Sequence, residues 1–285
     1  MRIFINDKPA DITLDTEKTL GDVLQGIDLW VSQTGNRIQG ISLDGEILEN
    51  DKLAGNLSMD IQRINKLEVA VRSWRELAAE ALETLLGTCE HFINAQFDER
   101  NQIKQDWEKS AASRFLATDI KDIFDLAGFV LSGEGISASD LATLIEERKR
   151  ELTDPAAETA AIETLVKGVA VRMEELPLDI QTGKDQRAAE TVQLFARTGE
   201  KLFRIFFLLK PEWGSLDTFT IEDLPARNFI DDFNAALREL SAAYENRDTV
   251  LAGDIAEYEL APRLLQFYTA LRNITELDNS VIPKP

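Results

Sequence analysis

The stretch ISLDGEILEND, residues 41–51, decides how the N-terminal region folds. Its first residues alternate between apolar and polar, which is the pattern of a half-buried β-strand. Asp44-Gly45 is then one of the strongest tight-turn dipeptides, and apolar residues resume at Ile47. The stretch therefore predicts a β-hairpin.

Alternating segments on either side of this hairpin predict further strands. Residues 2–6 alternate as a short strand, and a turn is expected at residues 7–9, where proline fixes φ and donates no hydrogen bond. Residues 12–14 alternate again and are the expected hairpin partner of the first strand. Residues 67–71 alternate as a closing strand.

A capped helix is predicted between these strands. Thr19 can accept a hydrogen bond from a backbone N–H three residues on, and Asp22 favours the positive end of a helix. Apolar residues then follow at helical spacing, and we expect Trp30 to be buried among them against the sheet. This face comprises Val23, Leu24, Ile27, Trp30 and Val31.

The order of these elements resembles the ubiquitin-like β-grasp fold over residues 1–72. RIFIN at residues 2–6, the capped helix, ISLDGEILEND and the closing LEVAVR at residues 67–72 are each similar to their ubiquitin counterparts. The resemblance implies a small folded module that binds a partner or packs on the rest of the chain. One fold hosts many unrelated functions, so the resemblance indicates the fold and does not identify the activity.

The sequence departs from ubiquitin at the positions that ubiquitin uses for conjugation and for partner recognition. Ubiquitin and the related sulfur carriers end in a free Gly-Gly tail with an activated carboxylate, whereas here the last strand leads directly into Ser73 and a helix. The resemblance therefore implies neither conjugation nor sulfur transfer. The usual interaction face aligns with Ser42 and Ala70, flanked by Glu68, which implies a weakened apolar patch.

From Ser73 onward, apolar residues recur at helical spacing with charges on the opposite side, which predicts a multi-helix bundle. The expected fold class is α+β. Its parts are a ubiquitin-like β-grasp domain at 1–72, a helical bundle domain at 73–277 and a frayed tail at 278–285. Residues 98–111 are mostly polar, and we expect them to prolong the first long helix into solvent.

Turn and cap residues divide the helical region. Gly133 and Gly135 predict a turn between helices rather than a phosphate loop, because no strand precedes them and no Gly-Lys-Ser/Thr follows. Asp154 before a proline predicts an N-cap, and residues 220–223 predict another.

Composition excludes several classes of function. The 285 residues include 51 acidic against 31 basic residues, a formal charge of −20, which repels phosphate backbones and anionic lipid. We therefore expect no nucleic-acid or membrane partner. The N-terminus contains no apolar signal stretch, and the most apolar run, residues 202–209, is too short to span a bilayer. The sequence predicts a soluble, cytoplasmic protein.

No catalytic constellation is visible, and we expect neither catalytic residues nor a cofactor. The one cysteine and the one histidine, Cys89 and His91, are two residues apart. On a helix they point about 200° away from each other, so they cannot form a nucleophile–base dyad. One histidine also excludes two-histidine zinc or iron sites within one chain.

Residues 244–263 are the most unusual stretch. Asp254, Glu257 and Tyr258 are three and four residues apart and share one helix face, and Pro262 is expected to bend the helix and free the Tyr258 carbonyl. We also expect Leu251, Ile255 and Tyr258 to face the preceding helix.

Two interpretations of this stretch remain open. Asp254 and Glu257 are candidate carboxylate ligands of a divalent cation. The favoured alternative is a structural polar cluster between helices, in which an arginine pairs with the acids. This cluster comprises Arg247, Asp248, Asp254, Glu257, Tyr258 and Arg263.

The leading functional hypothesis is a non-enzymatic cytoplasmic adaptor or scaffold that binds another protein through the β-grasp or the helical surface. One alternative is a carboxylate-based metal-binding protein or enzyme that uses Asp254 and Glu257. The other is a structural protein whose bundle self-associates into a homo-oligomer.

Overall fold

A computed structural model of the protein describes residues 1–210 and 214–281. Contacts along the chain define two compact units, Met1–Lys149 and Arg150–Pro285. The predicted domain boundary between residues 72 and 73 lies inside the first unit. A mixed sheet followed by helices confirms the α+β class. None of the helices in the described residues is long and apolar enough to cross a membrane.

The first unit begins with a mixed five-stranded sheet. Its strands are β1 (Arg2–Ile5), β2 (Lys8–Pro9), β3 (Asn36–Leu43), β4 (Glu46–Ile47) and β5 (Lys66–Ser73). Their order is β2-β1-β5-β3-β4, in which β1 and β5 run parallel and the other neighbours run antiparallel. The predicted β3–β4 hairpin is confirmed, with Ser42 opposite Ile47 and positive φ values of 51° and 93° at Asp44 and Gly45.

The partner strand of β1 comes earlier in the chain than predicted. Asn6 and Asp7 have positive φ values of 48° and 64° and form a two-residue turn, which places Pro9 opposite Phe4. Residues 12–14 are outside the sheet, so the strand predicted there is wrong. Asparagine and aspartate tolerate the left-handed conformation that a tight hairpin needs, and this turn reverses the chain before residues 12–14 are reached.

Helix α1 (Leu20–Gln33) begins with the predicted capping box. The Asp22 N–H donates to Thr19 Oγ1 over 3.2 Å, and the Thr19 N–H donates to Asp22 Oδ2 over 2.9 Å. Trp30 is 54% exposed, so its predicted burial is wrong. At 100° per residue, Trp30 lies about 80° from the centre of the buried face. That face comprises Leu20, Val23, Leu24, Ile27 and Val31.

The sheet and α1 enclose an aliphatic core, with α1 in contact with β3. One helix crossing a mixed sheet in this order is consistent with the β-grasp expectation. The core residues are Ile3, Leu20, Val23, Leu24, Ile27, Val31, Ile41, Leu43, Ile64, Leu67 and Val69.

The rest of the first unit is helical. Its helices are α2 (Asn50–Asn56), α3 (Trp74–Asn94), α4 (Phe97–Lys109), α5 (Ala111–Asp119), α6 (Lys121–Leu131) and α7 (Ala138–Thr153), the last of which continues into the second unit. The prediction that residues 98–111 prolong α3 is wrong. Ala95 has extended backbone, with a ψ of 146°, which ends α3, and the buried Trp107 fixes α4 as a separate helix.

The second unit is a helical bundle. Its helices are α8 (Pro155–Ala161), α9 (Glu163–Glu174), α10 (Leu176–Gln181), α11 (Asp185–Leu208), α12 (Ala226–Glu245), α13 (Thr249–Asp254) and α14 (Ala261–Val281), with a π-helical turn (Ile255–Leu260) before α14. Asp154 caps α8 as predicted. Of the predicted tail, residues 278–281 belong to α14, and residues 282–285 lie outside the described residues.

A short hairpin interrupts the helices of the second unit. It consists of β6 (Thr220–Ile221) and β7 (Leu224–Pro225). Glu222 and Asp223 have positive φ values of 49° and 66° and form its turn, so the helix cap predicted at residues 220–223 is wrong. The sequence Thr-Ile-Glu-Asp suits a helix cap and a turn equally well, and the backbone conformation of Glu222 and Asp223 distinguishes the two.

Aromatic rings fill the centre of the second unit. Phe195 stacks on Phe233 with ring centroids 5.9 Å apart, and Phe203 meets the edge of Phe233 at 5.6 Å. Phe267 lies 4.5 Å from Phe203 and 5.3 Å from Phe206. These contacts join α11, α12 and α14 into one core.

A largely buried ion-pair network crosses the same unit. Glu151 is 1% exposed and accepts two hydrogen bonds from the Arg204 guanidinium, over 2.9 and 3.1 Å. Glu158 accepts from Lys201 over 2.9 Å and from Arg150 over 2.8 Å. Burial raises the pKa of Glu158, but its bonds to Lys201 and Arg150 outweigh that effect and hold the pKa below its ordinary value. Each of the two carboxylates is therefore paired with a cationic side chain.

Candidate functional site

The six residues of the predicted polar cluster are spread over the loop after α12, α13, the π-helical turn and α14. Arg247 is exposed in the loop after α12 and has a positive φ of 56°. The Asp248 carboxylate caps α13 by accepting from the Leu251 N–H over 3.0 Å. Arg263, in α14, pairs with Glu259 through Nη1 and Oε2 at 3.1 Å.

The other three residues lie on the outer side of α13 and the π-helical turn. Asp254 and Tyr258 are exposed, and Glu257 is half-buried. A hydrogen bond to the Glu257 carboxylate, together with its charge, raises the pKa of the Tyr258 hydroxyl. Within residues 1–210 and 214–281, no ion pair joins Arg247 or Arg263 to either acid. The single six-residue cluster stays a prediction.

Small residues determine which side of α13 is buried. Ala252, Gly253 and Ala256 are buried, and a Cβ on Gly253 would lie 2.9 Å from the Pro177 Cβ. Leu251 and Tyr258 are exposed, so the prediction that they face the preceding helix is wrong for these two, whereas Ile255, the third residue of that prediction, is buried. Close approach to α10 requires the smallest side chains at the contact, and the large ones are consequently turned outward.

The π-helical turn lies where the sequence predicted a bend. The Ala261 N–H donates to the carbonyl of Ala256, five residues earlier, and Pro262 follows in the first turn of α14. A single π turn inserted between α-helices is the usual form of this element. It keeps Asp254 and Tyr258 on the same outer side.

We call Val250, Leu251, Asp254, Glu257 and Tyr258 the C-terminal face. Val250 is 66% exposed and Tyr258 is 67% exposed. Val250, Asp254 and Tyr258 follow one another at intervals of four residues, so they share one side of the segment. The C-terminal face therefore combines exposed apolar side chains with two carboxylates.

The described residues do not support a metal centre on this face. Nowhere among them do three or more His, Cys, Asp or Glu side chains form a group that could hold a metal ion. Asp254 and Glu257 supply two carboxylates, whereas a calcium ion takes roughly six to eight oxygen ligands. The metal hypothesis stays a prediction.

On the sheet of the first unit, polar contacts occupy the positions that align with the ubiquitin interaction face. Ser42 Oγ donates to Glu68 Oε2 over 3.2 Å, and Lys66 Nζ donates to Glu68 Oε1 over 2.6 Å. The Lys66 ammonium lowers the pKa of the Glu68 carboxyl and lies 4.7 Å above the Phe4 ring. The patch is thus polar.

The first unit also carries a groove between α3 and α4, which sequence reasoning missed. It has a volume of about 570 Å³, and α3 contributes Thr84, Gly87, Thr88 and the exposed His91 to its wall. Cys89 is buried on another side of α3, and burial raises the pKa of its thiol to about 11. His91 and Cys89 therefore face different surroundings.

The α4 wall of the groove combines acidic and aromatic groups. It is formed by Glu99, Gln102, Ile103, Asp106 and Trp107. Asp106 Oδ1 accepts from Gln102 Nε2 over 2.8 Å. The sequence contained one sign of this groove, which is the spacing of Ile103 and Trp107 along a polar segment. Two apolar residues four apart indicate a helix that packs on another helix.

Two segments of the chain match models of known protein families. Residues 1–73 match the family model of the TP0873 N-terminal domain, which ends where β5 ends. Residues 160–270 match that of a domain of unknown function, DUF8042. This second match spans α9 to α13 and the C-terminal face. No curated protein and no solved structure matches the chain.

Proposed function

We propose that the protein is a non-enzymatic cytoplasmic adaptor that binds another protein through the C-terminal face. The observation that carries this proposal is the exposure of Val250 and Tyr258, each about two-thirds open to solvent on one side of the same segment. Exposed apolar side chains with a polar rim are typical of protein–protein contact sites.

The chemistry of the face supports a protein partner. Tyrosine is among the residues that contribute most to binding free energy at interfaces, since it offers a large rigid ring and a polar tip. Asp254 and Glu257 beside the ring provide acceptors at the rim. A carboxylate pair without a third ligand suits a hydrogen-bonding rim better than a metal centre.

The N-terminal module fits the same role as a second, ubiquitin-like β-grasp part of the adaptor. Its strand order and capped helix support this assignment. β5 ends at Ser73, whose side chain accepts from the Arg75 N–H and caps α3. The module therefore has no free carboxylate at its end, and we propose binding rather than conjugation or sulfur transfer.

Affinity purification from the native host with the full-length protein as bait tests this function. The variant Val250→Ser/Tyr258→Ser should lose the specific partner, which is then produced separately and shown to bind the wild type. The matched control Phe97→Ser/Phe129→Ser removes two exposed apolar side chains from helices of the first unit, outside the sheet module, and should keep the partner.

Circular dichroism should show both variants folded, because all four side chains are exposed. Equal recovery of the partner by the Val250→Ser/Tyr258→Ser variant would contradict the assignment of the face. If light scattering gave a dimer that this variant abolishes, the partner would be a second copy, and the adaptor proposal would be wrong.

A further inference from the structure

Helix α10 packs against the buried side of α13. A Cβ on Gly253 would lie 2.9 Å from the Pro177 Cβ, and α10 also contacts the π-helical turn. α10 has only six residues, and an isolated helix of that length is not stable in water. The position of α10, and with it the side that α13 turns to solvent, therefore depends on contacts between α10 and other elements.

One arginine of α11 binds two acidic residues of the α10 segment. Arg187 Nε lies 3.1 Å from Asp179 Oδ2, and Arg187 Nη2 pairs with Glu175 Oε2. Glu175 precedes α10, and its carbonyl accepts from the Asp179 N–H over 3.1 Å, so the two acids lie one helical turn apart. Like charges at this spacing repel each other. The guanidinium offsets that repulsion and connects α10 to α11.

Asp179 is a buried carboxylate whose second oxygen depends on this arginine. The Asp179 side chain is 2% exposed, and Lys184 Nζ donates to its Oδ1 over 3.3 Å. Within residues 1–210 and 214–281, Oδ2 has no hydrogen-bond partner, so the ion pair with Arg187 is the contact that compensates its charge. A buried carboxylate that loses its cation is strongly destabilised. Removing Arg187 should therefore drive Asp179, and α10 with it, towards solvent.

We infer that Arg187 is a positioning residue of the C-terminal face, which it fixes through Asp179, α10 and the contact between Pro177 and Gly253. Arg187 belongs to α11 and is not part of the face. When α10 moves, α13 loses the surface on which Gly253 packs, and the outward direction of the face is no longer fixed. The consequence for partner binding rests on the proposed function, whereas the effect on α13 does not.

Hydrogen exchange of the full chain, measured by mass spectrometry, tests the effect on α13. In Arg187→Gln, the amides of α13 and the π-helical turn should exchange about tenfold faster, while those of α12 keep their protection. Asp179→Asn/Arg187→Gln removes the buried charge together with its cation and should recover most of the protection. The control Lys167→Gln breaks the exposed pair with Glu163 in the same unit and should leave α13 unchanged.

Unchanged exchange of α13 in Arg187→Gln would show that the buried Leu176 fixes α10 without the arginine, and would overturn the inference. Equal loss of protection in α12, or no recovery in the double variant, would reduce Arg187 to a general contribution to stability and would overturn it as well.

The purified partner of the Val250→Ser/Tyr258→Ser experiment tests the effect on binding. Arg187→Gln should bind this partner about tenfold more weakly, which corresponds to a binding-competent arrangement that is populated about one-tenth of the time. Asp179→Asn/Arg187→Gln should restore most of the affinity. Unchanged affinity despite faster exchange of α13 would overturn the link to binding. If α13 exchanges faster but the wild type binds no partner through the face, the proposed function is wrong and the positioning role of Arg187 stands.

Discussion

The core under the N-terminal sheet and the core of the second unit are built from different kinds of side chain. The sheet encloses leucine, isoleucine and valine only, and its ion pairs, such as Lys66–Glu68, lie at the surface. The second unit packs five or more phenylalanine rings together and buries Glu151 against the half-buried Arg204. The core of the sheet module therefore depends on the packing of apolar side chains alone. The core of the second unit depends on such packing and on a buried carboxylate that is paired with an arginine.

Removing one ring from the aromatic centre should have the largest effect. Phe233→Ala should lower the free energy of unfolding by about 3–5 kcal/mol, because Phe195 and Phe203 both lose their ring contact and a cavity remains. Hydrogen exchange of the full chain should show lost protection in α11 and α12. Equal loss of protection in β1 and β5 would mean that the two cores are not independent.

Breaking the buried ion pair should come next. Glu151→Gln leaves Arg204 without a charged partner and should lower the free energy of unfolding by about 3 kcal/mol. This value is at the lower end of the range for broken buried ion pairs, because glutamine still offers a hydrogen-bond acceptor to the arginine. Urea denaturation measures the change. Glu68→Gln is the control at the surface of the sheet and should have a much smaller effect. Similar losses of unfolding free energy in Glu151→Gln and Glu68→Gln would show that the buried ion pair contributes no more to stability than the surface pair.

Acid should weaken the second unit through Glu158. The pKa of Glu158 is lowered in the folded protein, so its charged form contributes stability above the ordinary value of 4.5 and loses it as the pH falls through the folded value. The stability difference between the wild type and Glu158→Gln should therefore be constant near neutral pH and shrink below about pH 4.5. Urea titrations at a series of pH values test this, and a difference that grows in acid would contradict it.

The smallest effect is expected at the surface of the sheet module. Trp30→Ala should cost about 1 kcal/mol or less, because the ring is already half open to solvent. Ile27→Ala, on the buried face of the same helix, should cost about 2–5 kcal/mol. Thermal unfolding compares the two variants. A larger loss for Trp30→Ala would show that the ring packs on the core.

Reasoning from the sequence succeeded where partners are close along the chain. The Thr19–Asp22 capping box joins residues three apart, and the β3–β4 hairpin depends on one dipeptide. The closing strand β5 was visible because alternation reveals a half-buried strand. Among the failed predictions, those for Trp30 and residues 12–14 came from spacing that indicated apolar character but gave neither the direction of the side chain nor the register of the strand.

The candidate sites depended on contacts between distant segments. The C-terminal face exists because Gly253 must approach Pro177, which turns Tyr258 outward. The groove exists because α4 folds back beside α3 and buries Trp107.

Local hydrogen bonds, the helical period of about 3.6 residues and the strand period of about two residues depend only on residues that are close along the chain. The α+β class, the hairpin and the helix caps therefore follow from the order of amino acids. Burial is a property of the assembled chain. The pairing of Glu151 with Arg204, fifty-three residues apart, and the outward direction of Tyr258 arise only when the helices pack, since each depends on the shape and charge that another element presents.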